Sequence, residues 1–277
     1  MSKHRKTKII LDMAEKILAQ HNPMTVRQVY YQLVSRQVIE NNRGQYQAVS
    51  NALVYARKER IIPWEWIEDR LRRPRVVGMW DNLSDFGNTV LKAYRRNTWI
   101  NQPCYFEFWL EKDALSGLFE ALLKPYGVTL NVGRGFDGWD SIRNAANRLL
   151  EVGEEEETAI LYFGDFDPSG EDMVRSLRER LKFFYCEPEI CKCALTFEDV
   201  KQYNLPTDFT KASDTRSKDF IAKYGDIAVE LDALPSEILK ARIIEEIKER
   251  MDLDELENIK RTEKIERERL SQVIRDF

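Results

Sequence analysis

The chain has 277 residues, 43 of them Lys or Arg and 47 Asp or Glu, for a formal net charge of −4; 43% are hydrophobic and 11% aromatic. This size and apolar content predict two modest domains and exclude a mainly disordered protein. Two histidines, His4 and His21, are too few for a multi-histidine zinc centre or a histidine-based nuclease. No apolar run reaches the roughly 18 residues of a membrane span, and no signal-peptide pattern opens the chain, so a cytoplasmic protein without membrane contact is expected.

In chain order, Ile9, Ile10, Met13, Ile17 and Leu18 predict a helix over 7–20, ended by His21-Asn22-Pro23. Thr25 and Gln28 make a capping box that opens a second helix, which runs to about Arg36. Asn41-Asn42-Arg43-Gly44 reads as a turn and 46–60 as a third helix with a basic end, stopped by Ile61-Ile62-Pro63-Trp64. A basic patch follows over 70–75. Residues 1–80 hold 15 Lys/Arg against 7 Asp/Glu, a net +8, whereas the remaining 197 hold 28 against 40, a net −12. A basic segment joined to an acidic remainder suits a nucleic-acid-binding module fused to a metal-binding or catalytic one. Three short helices, the third basic, predict a helix-turn-helix or winged-helix module. Its candidate DNA-backbone contacts are Arg57, Lys58, Arg60, Arg70, Arg72 and Arg73.

From about residue 104 the pattern changes. Strands are predicted over 105–110, 128–132, 158–163 and 190–196, alternating with helices over 114–123, 139–152 and 171–184. This alternation implies an α/β fold with a parallel, helix-covered sheet. Residues 236–274 read as a charged helical segment packed on the body or on a second copy. The expected divisions are therefore 1–100, 101–234 and 235–277. Cys104, Cys186, Cys191 and Cys193 lack the paired spacing of common zinc modules and read as reduced thiols, with Cys191 and Cys193 on a strand.

Two acidic clusters end strands: Glu111-Lys112-Asp113, and Gly164-Asp165-Phe166-Asp167-Pro168-Ser169-Gly170. A parallel sheet collects ligands at the carboxyl ends of its strands. Asp165 and Asp167 are two apart and point to one side of an extended backbone. Together with Glu111 they make an oxygen-rich candidate site for Mg2+ or Mn2+. An EF-hand is excluded, because the twelfth loop position is Ser176 and a strand precedes the loop. A phosphotransferase of the haloacid-dehalogenase type departs from the residues around Asp165. Surface acids that merely cap the next helix are the plain structural alternative.

At 100° per residue, Tyr30 falls on an apolar stripe with Val26, Val29, Leu33 and Val34. Tyr31 falls off it, beside Arg27 one turn earlier. Tyr31 thus reads as an exposed nucleophile, with Arg27 to promote its phenolate or hold a phosphate. A surface aromatic at a partner interface is the alternative.

Glu111-Lys112, then Leu130-Asn131-Val132-Gly133-Arg134-Gly135-Phe136, then Gly164 to Gly170 resemble the Toprim fold of topoisomerases, primases and certain nucleases. Thr25-Val26-Arg27-Gln28-Val29-Tyr30-Tyr31 is similar to the catalytic-tyrosine helix of the A subunit of type IIB topoisomerases (topoisomerase VI) and of the related meiotic transesterase. The order of the two modules is also theirs, and the resemblance covers about residues 20–200. It implies a winged-helix (CAP-like) domain, a Toprim domain and a helical C-terminal segment. It further implies Mg2+-dependent cleavage of double-stranded DNA, in which Tyr31 forms a 5′-phosphotyrosyl link, Arg27 assists, and Glu111, Asp165 and Asp167 hold the ion. A homodimer is expected, the metal site of one chain serving Tyr31 of the other. The chain carries no Walker A motif, so an ATPase would be a separate subunit. A hydrolytic Toprim nuclease and a non-catalytic DNA-binding protein are the alternatives.

Overall fold

A computed structural model describes residues 3–67, 78–133, 139–152, 157–210 and 217–275. Arg70, Arg72 and Arg73, and most of the glycine turn after Gly133, lie outside the described residues. The chain begins with three helices, α1 (Lys3–His21), α2 (Val26–Ser35) and α3 (Arg43–Lys58). The Thr25 side chain accepts from the Gln28 N–H, and the Gln28 side chain accepts from the Thr25 N–H, so the expected capping box starts α2. The turn expected over 41–44 is shorter: Asn42 caps α3, and Arg43 and Gly44 already belong to it. Ile17, Leu18, Val29, Leu33, Val49 and Leu53 bury the faces these helices share. A parallel bridge between Met24 and Ile67 ties the start of α2 to the chain after α3.

An unexpected helix, α4 (Leu83–Ala93), precedes the sheet. Four strands follow: β1 (Cys104–Leu110), β2 (Thr129–Val132), β3 (Glu157–Phe163) and β4 (Glu189–Ala194). All pair in parallel, in the order β2-β1-β3-β4. Helices α5 (Ser116–Leu123), α6 (Trp139–Glu151) and α7 (Pro168–Lys182) make the crossovers. Helices α8 (Phe197–Gln202), α9 (Ser217–Tyr224), α10 (Ser236–Arg250) and α11 (Leu253–Arg275) complete the chain. Among the described residues the architecture is therefore mixed α/β, with eleven α-helices around one parallel sheet.

Both faces of the sheet are buried, which is why β1 and β3 are apolar along nearly their whole length. Phe106, Phe108, Leu110, Leu161 and Phe163 face a core that continues without a break into the three N-terminal helices. Trp109, Ile160 and Tyr162 face a second core with Ile142, Leu149, Met173 and Leu177 of α6 and α7. On that second face sits Glu107, with no exposed surface. Its carboxylate accepts from Arg148 Nε (2.8 Å) and Nη2 (3.0 Å), Trp109 Nε1 (3.1 Å) and Asn131 Nδ2 (2.5 Å). A buried charge is tolerated only with such partners.

The segment expected as continuous helix over 236–274 is two helices. Met251 leaves helical backbone, and the Asp252 carboxylate accepts from the Asp254 and Glu255 N–H groups, both at 2.9 Å, to start α11. All four cysteines are free thiols, with Cys191 and Cys193 on β4 as expected, and burial pushes those of Cys104 and Cys186 up to about 11. No helix among the described residues is long and apolar enough to cross a membrane.

Candidate functional site

The chain leaves β1 and β3 side by side, since Leu110 pairs with Phe163, and the Glu111 N–H donates to the Phe163 carbonyl at 2.9 Å. Glu111 Oε2 accepts from the Tyr162 hydroxyl (3.0 Å) and the Asp165 N–H (2.9 Å). A side chain at position 164 would overlap both the Tyr162 hydroxyl and the Glu111 carboxylate, so this crossing requires Gly164. Asp165 is nearly buried. Its Oδ1 accepts from the Leu231 N–H (2.8 Å) and its Oδ2 lies 2.8 Å from Lys112 Nζ. Burial, with help from Glu111 and against Lys112, pushes the Asp165 carboxyl up to about 6. Phe166 turns inward, stacked on Phe197 and in tilted and edge-on contact with Phe220 and Tyr224. Asp167 Oδ1 caps α7, accepting from the Gly170 N–H (2.7 Å) and the Ser169 hydroxyl (2.8 Å). The helix-capping alternative therefore holds for Asp167.

A later segment completes the site. Phe166 and Val229 exchange backbone hydrogen bonds at 2.8 and 2.9 Å, which brings Glu230, Leu231 and Asp232 against α2. The Glu230 carboxylate accepts from the Tyr31 hydroxyl and the Arg27 guanidinium, and Lys112 Nζ lies 3.2 Å away. Asp232 is buried, with Arg27 Nε 3.1 Å from its Oδ2. A chain of contacts thus runs from Tyr31 through Glu230 and Lys112 to Asp165.

Tyr31 was expected on an open face. It is 7% exposed, because the segment holding Glu230 and Leu231–Ala233 packs against α2. Burial and the bond to Glu230 raise its phenol well above the ordinary range, outweighing Arg27. Arg27 is accordingly held by Glu230 and Asp232, and does not leave Tyr31 poised as a phenolate. Burial would raise the Glu230 carboxyl, but Lys112, Tyr31 and Arg27 hold it down to about 2. Tyr30 is 3% exposed, as its stripe predicts, and its hydroxyl donates to Asn41 Oδ1 at 2.9 Å.

The remaining candidates lie at the end of α3. Lys58 and Arg60 are exposed. Arg57 stacks over Trp64, 4.9 Å from the ring centroid, and donates to the Leu53 carbonyl at 3.3 Å. Its half-buried guanidinium is spoken for in part within the chain.

Among the described residues, no group of three His, Cys, Asp or Glu side chains is gathered closely enough to hold a metal ion. Glu111 and Asp165 adjoin, while Asp167 is turned toward the first turn of α7. The donor chemistry nevertheless suits a hard cation. Glu111, Asp165, Asp167, Glu230 and Asp232 are five carboxylates, and the cations interleaved with them are Arg27 and Lys112. Compared with known proteins, no family model matches the chain, and no curated protein matches it in sequence.

Sequence reasoning did not find Glu230 and Asp232. The alternation Val229-Glu230-Leu231-Asp232-Ala233, with acids between apolar residues at period two, was the available signal. Lys112 was visible only as the neighbour of Glu111.

Proposed function

We propose that the protein binds double-stranded DNA and cleaves it by transesterification, with Tyr31 as nucleophile. The observation that carries this reading is the link from the Tyr31 hydroxyl through Glu230 and Lys112 to Asp165, which puts a tyrosine and the strand-end carboxylates in one polar network. In this reading the N-terminal helices belong to a winged-helix domain and the sheet is a Toprim domain, like those of type IIB topoisomerase A subunits. The Tyr31 oxygen bonds to a backbone phosphorus as the bond to the 3′ oxygen breaks. The phenol proton, held against Glu230 at rest, ends on the leaving 3′ oxygen. Arg27 and Lys112 balance Glu230 and keep the phenol oriented. Mg2+ or Mn2+, held by Glu111, Asp165 and Asp167, would offset charge on the phosphate. A homodimer would cut both strands, and any ATPase would be a separate subunit.

The test is incubation of supercoiled plasmid with the protein and Mg2+ or Mn2+, quenched with denaturant, with and without protease. Transesterification gives breaks whose ends carry protein until protease is added. One observation favours a second reading, a hydrolytic nuclease: Tyr31 is buried and its phenol resists ionisation. That activity would leave protein-free ends.

A further inference from the structure

The chain between α4 and β1, the turn before β2 and one face of α11 enclose an open groove of about 560 Å³. Five cationic side chains line it: Arg95, Arg96, Lys124, Lys260 and Arg267, with Glu263 as the acid among them. Both walls are fixed. Trp99 Nε1 donates to the Gly127 carbonyl at 3.1 Å, and Gly127 has φ of +69°, where a side chain would overlap Thr98. On the other wall, the Arg96 N–H donates to Glu263 at 2.9 Å, and Glu266 takes the Arg96 guanidinium (2.5 Å) and the Tyr94 hydroxyl (2.6 Å).

The charge in this groove is not balanced. Glu263 is shared by Arg95 at 4.0 Å, Arg267 at 3.7 Å and the Arg96 N–H. Lys260 pairs with Glu257 at the rim (3.0 Å), and Lys124 is exposed, with no carboxylate partner among the described residues. Converging cations in a concave surface repel one another unless an anion enters, and a groove focuses their field outward. The concentration of cations stands in residues 81–277, the part of the chain with net charge −12. Its position matters too. Residues 95–99 lead into β1 and 124–127 into β2, so the groove lies at the amino end of the sheet. Glu111 and Asp165 lie at the carboxyl end, separated from it by the length of a strand, about 20 Å at about 3.3 Å per residue.

We propose that this groove holds the phosphate backbone of duplex DNA, as a contact surface separate from both the end of α3 and the strand-end carboxylates. The proposal rests on the DNA-binding reading above. The ligand is a run of phosphodiesters and not a free polyphosphate.

The test uses the full chain. Binding of a fluorescent duplex is measured by anisotropy across a range of salt concentrations for the wild type and for Lys124→Gln with Arg267→Gln, and tripolyphosphate is titrated against each. The double variant is expected to bind duplex about tenfold more weakly at physiological salt, with a log–log salt slope shallower by about 2, since each phosphate contact contributes about 0.9. Tripolyphosphate is expected to compete with duplex for the wild type only weakly. Circular dichroism and thermal unfolding establish that the variant is folded. Should it not be, Lys124→Gln alone, at an exposed position, is expected to shift the slope by about 1. Wild-type affinity and slope in a folded variant would overturn the groove and leave the DNA reading standing. A wild-type protein that binds no duplex at any salt would overturn both. Tight tripolyphosphate binding that is lost in the variant while duplex binding is unchanged would replace DNA with a small anion.

Discussion

Tyr31 donates its hydroxyl to Glu230, 199 residues further along the chain. This contact joins the first helical module to the carboxyl ends of the central strands, and it covers the candidate nucleophile with a segment from the far end of the chain.

Replacing Tyr31 separates chemistry from binding. Tyr31→Phe is expected to remove covalent strand cleavage and leave duplex affinity within about twofold, at a stability cost of about 1–2 kcal/mol for the lost hydrogen bond to a carboxylate. Tyr30→Phe loses a bond to Asn41 and is expected to cost about 1 kcal/mol with cleavage intact. Denaturant-quenched plasmid assays beside urea unfolding measure both. Normal covalent cleavage by Tyr31→Phe would exclude Tyr31 as the nucleophile, and protein-free breaks would put the hydrolytic nuclease in place of the transesterase.

Glu230 gives the stability curve a direction in pH. Its folded carboxyl titrates at about 2 against an ordinary 4.5, so its contribution is fully present above about 4.5 and is lost as pH falls from there toward 2. The side chain is 37% exposed, so solvent screening limits the effect to about 1–2 kcal/mol. Wild type is expected to exceed Glu230→Gln in unfolding free energy at pH 7, and the difference is expected to shrink below pH 4.5 and to close only as the pH falls to about 2 and below. A constant difference across that range would show that the charge at 230 is not what stabilises the contact.

Lys112 occupies the place where a cation would meet Asp165, 2.8 Å from its Oδ2. Lys112→Met leaves Asp165, Glu230 and Asp232 short of positive charge. It is expected to lower the melting temperature by several degrees in chelator, with part of the loss restored by millimolar Mg2+. Asp165→Asn with Asp167→Asn is expected to abolish the Mg2+ heat in titration calorimetry. Equal Mg2+ heats for that double variant and wild type would place the ion elsewhere.

Glu107 is a structural charge. Glu107→Gln strands Arg148 at a partly buried position and weakens the bonds to Trp109 and Asn131, so a loss of about 3 kcal/mol is expected in chemical unfolding. A near-neutral change would mean that water replaces those contacts.

Much of the α/β half was legible because parallel strands buried on both faces are almost wholly apolar, as in Ile160–Phe163 and, with Glu107 the one interruption, Phe106–Leu110. The start of α2 was legible because a capping box is written in four adjacent residues. Helix α4 escaped notice because Leu83, Phe86 and Val90 stay exposed, while the burial that matters is Gly87 against Ile274 of α11. For Tyr31, the 100° rule gave its angle relative to the first buried stripe correctly. It carries no information about a second surface arriving from residue 230, and that surface turned an expected exposed phenol into a buried one.

The Val229–Asp232 segment also sets a timetable. A nascent chain that has released Tyr31 must grow by about 200 residues before Glu230 emerges, which takes roughly 10–40 s at about 5–20 residues per second. Until then Tyr31 and Arg27 have no acid to face, and Asp165 lacks the Leu231 N–H that holds it. The site therefore comes into being only after Glu230 and Leu231 have been made, and a truncated product ending before residue 229 carries the tyrosine without the segment that contacts it.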